Sequence, residues 1–169
     1  VERLHGAVSY RHGRTFEGFN AGTDVWTLMR EIQLPPELRV GQGYGKVAWG
    51  VRTLWESYVG WFKLQSTTEL YPDPAPAALA ELVDLAGTEA TLDRAESALG
   101  RGDAVVAIRL GEAVESVAPD DPRLRAVMAD AHRFLLDHGG DVSFWEHGWL
   151  RTQLARWDPG DPPGSGDAR

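Results

Sequence analysis

Apolar residues recur along this chain with a helical period, and no stretch alternates long enough to build a sheet. Leu4 to Asn20 reads as a helix, although Gly6, Gly13 and Gly18 each weaken it by about 1 kcal/mol relative to alanine. Asn20-Ala21-Gly22 supplies a stop, and Thr23 is expected to cap a short helix with Val25, Leu28, Met29 and Ile32 on one face. Leu34-Pro35-Pro36 ends that helix, because proline lacks an amide donor and restricts the residue before it. After a glycine-rich turn at 41–45, Val47, Val51, Leu54, Trp55, Tyr58 and Phe62 form a single apolar stripe. Trp49 falls on the opposite side. The run from Gly43 to Tyr71 holds three of the seven tryptophans and three of the four tyrosines. A helix with aromatics on both faces is expected to be covered twice, once by its own fold and once by a partner.

Pro72, Pro74 and Pro76 interrupt any helix and predict a boundary between a region 1–71 and a region 72–157. Beyond them Ala77 to Ala86 reads as a helix stopped by Gly87, with Thr88 capping the next. Asp103 opens another, whose Val106, Leu110, Ala113, Val114 and Val117 align. Pro119-Asp120-Asp121-Pro122 makes a corner before the stripe Leu124, Val127, Met128, Ala131 and Leu135, which Gly139-Gly140 closes. A last helix runs from about Ser143 to Trp157. Residues 158–169 have almost no apolar content and are expected to form a disordered acidic tail. The predicted class is an all-α helical bundle. Its C-terminal half resembles a tetratricopeptide repeat over about one and a half repeats, fewer than the roughly three a solenoid needs, so a helical hairpin of that kind is expected.

Composition narrows the function classes. The 43% hydrophobic content is that of a globular chain, not a disordered one. No apolar run approaches the roughly 18 residues that span a bilayer, and no basic-then-apolar segment opens the chain, so a soluble protein is expected. Without cysteine there are no disulfides or thiolate metal sites, and nothing marks a compartment. Residues 1–71 carry eight Lys and Arg against seven Asp and Glu; residues 72–169 carry nine against eighteen. That acidic half argues against nucleic acid, where phosphate neutralisation dominates affinity.

Chemistry is scarce. His5, His12, His132, His138 and His147 make no H-x-H or H-E-x-x-H pair, so no metal ligand is assigned. His132 and His138 fit a helix C-terminus, where a cation meets the dipole favourably. Gly41 to Lys46 looks like a phosphate loop, but Val40 and Val47 stand where a P-loop needs glycine and Ser or Thr. Arg52 and Glu56 are spaced to pair at the surface. No serine sits in a nucleophile elbow, and no catalytic residue is assigned.

Several ordered motifs carry a resemblance. Tyr10-x-His12-x-x-Thr15 is followed by Asn20-x-Gly22, then by Leu34-Pro35-Pro36-x-Leu38, Gly43-Tyr44-Gly45, Val51 and Tyr58-x-Gly60-Trp61-Phe62. Over residues 8–157 this resembles the region after the catalytic domain in alkyl sulfatases of the metallo-β-lactamase superfamily, including their all-helical dimerisation domain. The resemblance implies a homodimer and an associated metallo-β-lactamase-fold catalytic domain. Any zinc would sit there, on an upstream H-x-H-x-D-H motif, and none in this chain. Family members usually show Ser-His-Asn after the G-Y-x-G turn, and that histidine helps the sulfate ester react; here the aligned residues are Ala48-Trp49-Gly50. An indole cannot donate a proton in that way, which argues against sulfatase chemistry of the usual kind.

The leading expectation is therefore a dimerising, active-site-covering region that is non-catalytic by itself. Trp49, Trp55, Tyr58, Trp61, Phe62 and Tyr71 are its candidate interface residues, and His12, Tyr44 and Trp49 its candidate pocket edge. A stand-alone tetratricopeptide-like module that binds another protein is the alternative from a different class. A complete small enzyme or ligand carrier is the third.

Overall fold

A computed structural model describes residues 1–63, 65–140 and 143–160, and among these every regular element is helical. The chain divides into two compact units: Val1–Pro72 with Ser143–Trp145, and a second that starts at Asp73 and resumes at Glu146. The expected tail, 158–169, lies outside the described residues from 161 onward.

In the first unit α1 (Glu2–Asn20) runs unbroken through its three glycines. At Gly18 the lost propensity has a packing return: a methyl group there would collide with the side chain of Leu28. α2 (Val25–Glu31) is capped by Asp24 rather than by the expected Thr23. Asp24 holds the extended N-cap conformation, and its carboxylate accepts from the Thr27 amide at 3.1 Å. Hydrogen bonding from Thr27 keeps that carboxyl below its ordinary pKa.

α3 (Val47–Val59) lacks an N-cap side chain of its own. Gln42 takes that role from five residues upstream, its Oε1 accepting from the Val47 amide at 2.8 Å, and so ties the glycine-rich turn to the helix. Val51 and Trp55 pack with Val25, Leu28 and Ile32 to form the first core. The helix stops at Gly60, where φ is +72°. The expected stripe to Phe62 is thus two turns shorter in its buried part, and Trp61 and Phe62 lie beyond the helix.

The second unit holds a short 3-10 turn (Ala75–Ala78), then α4 (Leu79–Ala86), α5 (Thr88–Gly100), α6 (Ala104–Glu115), α7 (Pro122–His138) and α8 (Phe144–Trp157), the last of which begins within the first unit. Gly87, at φ +88°, is the residue before α5, so Thr88 is the first helical residue and not a cap. α6 packs against both α5 and α7. Its buried face is Ala104, Ala107, Gly111, Ala113 and Val114, whereas the expected Val106 and Val117 are exposed. Small residues win that face because α7 comes close: a methyl group on Gly111 would strike the Met128 sulfur.

α7 begins as its sequence suggests, with Pro122 at N1 and the Asp121 carboxylate accepting from the amides of Arg123 and Leu124. Leu124, Val127, Met128 and Ala131 are buried, and Leu135 partly so. Arg123 reaches across to α5, where Asp93, Glu96 and Glu89 all accept from its guanidinium. Those bonds hold its proton above the ordinary arginine value. The cluster is exposed, so its contribution is screened by salt.

His132 does not serve a helix terminus as expected. It is buried inside α7, with Nδ1–H donating to the Met128 carbonyl at 2.6 Å. Burial pushes its pKa below 6.5, Arg156 adds to the effect, and Glu112 and the Met128 carbonyl oppose it. The folded ring therefore resists a proton that the unfolded chain accepts. His132 contributes fully above its unfolded pKa, and that contribution is lost as pH falls through the folded value. The urea midpoint is expected to drop between about pH 7.5 and pH 5.5, and His132→Gln to flatten that slope. An unchanged slope in the variant assigns the acid sensitivity to other groups.

Candidate functional site

Two features of the first unit invite functional readings: a groove along one side of α1 and a set of aromatics beyond α3. Leu4, Ala7, Val8 and Arg11 fall at helical spacing on α1 and line the groove. The rest of the lining includes Leu34, Gly41, Gln42, Gly45, Lys46, and Trp49 with Gly50 at the start of α3. The groove encloses about 310 Å³. Gln42 holds its rim in place through the bond to Val47 described above.

Arg11 is the unusual member. Its guanidinium lies directly over Gly50, where a methyl group would collide with it. Its Nε is buried and has no hydrogen-bond partner, and among the described residues no carboxylate pairs with the guanidinium. A partly buried cation without an acceptor carries an uncompensated desolvation cost. Trp49, 37% exposed, stands beside it, with the Lys46 Nζ 5.9 Å from its ring centroid. The groove is lined by the apolar Leu4, Ala7, Val8 and Leu34 and by the cationic Arg11 and Lys46.

Of the three residues expected to edge a pocket, only Trp49 lines this groove. His12 turns instead toward α3, where its Nε2 and the Tyr58 Oη are hydrogen-bonded at 2.8 Å. Phe16 and Phe19 pack against the Tyr58 ring at centroid distances of 5.5 and 6.1 Å. Tyr44 is exposed, its ring 5.8 Å from that of Phe144.

The candidate interface residues also separate. Trp55, 6% exposed, faces the first core and meets the Phe19 ring edge-on, so it offers a partner no surface. Tyr58 is half exposed, Trp61 is 74% exposed, and Tyr71 is exposed too. Trp61 and Phe62 touch each other, with centroids 5.6 Å apart. Arg52 and Glu56 pair at 2.9 Å, which keeps the Glu56 carboxyl below its ordinary pKa, and Arg52 also lies over the Trp26 ring.

Sequence reasoning missed Arg11, Lys46 and Gly50 as members of one site. A signal was present for the first: Leu4, Ala7, Val8 and Arg11 share a helical face, an apolar strip that ends in a cation. Nothing local placed Gly50 across from it. Among the described residues no three His, Asp or Glu side chains gather so as to hold a metal ion. No helix among them is long and apolar enough to cross a membrane.

Comparison with known proteins places this fold. The family model for alkyl sulfatase dimerisation matches residues 26–140. A linear primary-alkylsulfatase from Pseudomonas sp. is 30% identical over 154 residues, which cover 88% of this chain and 29% of that relative. Among solved structures, a stereoselective inverting sec-alkylsulfatase from Pseudomonas sp. superposes with a TM-score of 0.74 at 22% identity, over 89% of this chain and 24% of that one. A double mutant of a sec-alkylsulfatase gives the same TM-score at 23% identity, again over 89% and 24%. The two structures show the fold. The chain spans less than a third of each of these relatives. Since the family model takes in well over half of its residues, the chain belongs to the alkyl sulfatase dimerisation family.

Proposed function

We propose that this chain is the assembly region of an alkyl-sulfatase-like hydrolase. It pairs with a second copy and covers a metallo-β-lactamase-fold catalytic domain, and it performs no chemistry of its own. The observation that carries this reading is the family match over residues 26–140, in a chain that corresponds to less than a third of an alkylsulfatase. The exposed aromatics agree with it. Trp61 and Tyr71 are large side chains left mostly exposed by their own unit, Tyr58 is half exposed, and such residues anchor protein interfaces. In a two-fold dimer the same patch would be present on both subunits.

The zinc expected in this family would be held by the catalytic domain, since the described residues supply no ligand cluster. Where a sulfatase of the family carries the assisting histidine, Trp49 has no titratable proton near neutral pH, so this position would contribute none to an ester cleavage. The relatives named above are alkylsulfatases of which this chain matches a segment, and they lend no support to a stand-alone tetratricopeptide-like module.

Sedimentation velocity of the full chain at micromolar concentration tests the assembly reading. A dimer is expected, with Trp61→Ala and Tyr71→Ala shifting it toward monomer while the helical circular dichroism is retained. A compact monomer at that concentration, indifferent to both substitutions, overturns it.

A further inference from the structure

Within the second unit α6, α7 and α8 enclose another cavity, of about 210 Å³. We propose that it binds a small organic ammonium ion, the N–H donors of the head held by the His132 Nε2 and the Glu112 carboxylate and the alkyl chain laid on the apolar lining. The inference goes beyond the assembly reading and does not rest on it.

Three observations converge on that ligand. The first is the state of His132. It lines the cavity yet is only 4% exposed, and its Nδ1 lies 2.6 Å from the Met128 carbonyl oxygen. A carbonyl can only accept, so Nδ1 carries the proton and Nε2 of the neutral ring is an acceptor. Among the described residues no donor reaches Nε2. A buried acceptor without a donor keeps its desolvation cost, which an incoming N–H group offsets. The second observation is charge. Glu112 and Glu115 both line the cavity, and Arg156 pairs with Glu115. Glu112 has no cation partner among the described residues, and it stands near enough to oppose the burial that lowers the His132 pKa. The lining thus holds one negative charge in excess, which favours a cation over an anion. Third, Ile108, Met128, Leu135 and Leu150 supply apolar surface, and the exposed indole of Trp149 adds a face that attracts a cation. A bare metal ion would leave that surface unused, and a quaternary ammonium would bring no N–H to Nε2. The volume is below the roughly 300 Å³ at which drug-sized sites begin, so the ligand is a small amine.

Trp149 stands in the lining and reports occupancy. The full chain is labelled with 5-fluorotryptophan, and its Trp149 resonance is assigned by loss of that signal in Trp149→Phe. Hexylammonium, hexyltrimethylammonium and hexanol are then titrated separately near neutral pH. A saturable shift is expected with hexylammonium, and binding weaker by about tenfold or more with the other two. Glu112 is exposed, so Glu112→Gln leaves the packing intact; it is expected to weaken hexylammonium by about tenfold. Lowering the pH from about 7.5 to about 5.5 is expected to weaken binding to the parent chain, because protonated His132 offers a donor in place of an acceptor and adds positive charge beside Arg156, while the amine and both carboxylates keep their charges over that range. His132→Gln is expected to lose that pH dependence.

No saturable shift with hexylammonium, or a Glu112→Gln variant that binds as the parent does, overturns the site. Equal affinity for hexanol overturns recognition of the cation. Equal affinity for hexyltrimethylammonium, or an unchanged pH dependence in His132→Gln, overturns the role of Nε2. If Glu112→Gln instead splits a dimer while hexylammonium moves no signal, the cation is a lysine or arginine of a second copy and the ligand proposal fails. Each shift is read at one tryptophan whether the chain is monomeric or dimeric, so the outcome is separable from that of the sedimentation experiment.

Discussion

Trp55→Ala is expected to destabilise the first unit by about 3–5 kcal/mol, the range for removing a buried large aromatic. The side chain is 6% exposed and completes a core of only five buried residues with Val25, Leu28, Ile32 and Val51. Phe19 loses its edge-on contact as well. A deficit of that size is comparable to the whole stability of a small unit. Amide hydrogen exchange reads it directly: protection across α1, α2 and α3 should collapse, while α5, α6 and α7 keep most of theirs. The sequence alone placed Trp55 among the interface anchors, and an anchor behaves differently. It would lower dimer affinity and leave exchange in α1 to α3 intact. Intact protection with a dissociated dimer therefore contradicts the packing described for Trp55.

Leu124→Ala is expected to cost the second unit about 2–5 kcal/mol. Leu124 is fully buried among Leu92, Val114, Val127 and Met128, near the place where α7 crosses Gly111 of α6. The site has little room to collapse, because the small residues on α6 already bring the two backbones close, and a residual cavity is the expected result. The Asp121 cap accepts from the Leu124 backbone amide, so alanine leaves that bond in place and the measured loss reports packing alone. Urea denaturation compares it with Leu124→Met, which preserves volume and should cost less than about 1.5 kcal/mol. Similar midpoints for the two variants would mean that shape at this position does not matter, contrary to the packing seen.

The helices themselves were mostly legible. α7 shows why: a proline at N1, an aspartate before it and a sustained stripe from Leu124 to Ala131 all point to one answer. α6 was legible as a helix but not in its orientation. Its valines look like core, yet only Val114 is buried; Val105 and Val106 are exposed, and the rest of the buried face is alanine and glycine. Hydrophobicity ranks valine above alanine, whereas two neighbouring helices at close range rank them by size. The end of α3 was misplaced for a simpler reason. Gly60 was visible in the sequence, but its left-handed backbone, which ends the stripe before Phe62, belongs to the folded chain.

The site divides in the same way. Trp49 could be found from the sequence, because it sits opposite an apolar stripe. Arg11 was legible only as the cation ending an apolar strip with Leu4, Ala7 and Val8, and its partner across the groove was not, since a lone arginine on a helix is ordinarily a solvated surface group. By itself the sequence determined the all-helical class, nearly every helix and the concentration of aromatics between Gly43 and Tyr71, because helical period, caps and prolines act within a few residues of one another. The tertiary structure alone decided which tryptophan is core and which is surface, and brought Arg11 over Gly50 from 39 positions away. Burial and charge pairing depend on what the rest of the chain places opposite a residue, and no local pattern encodes that.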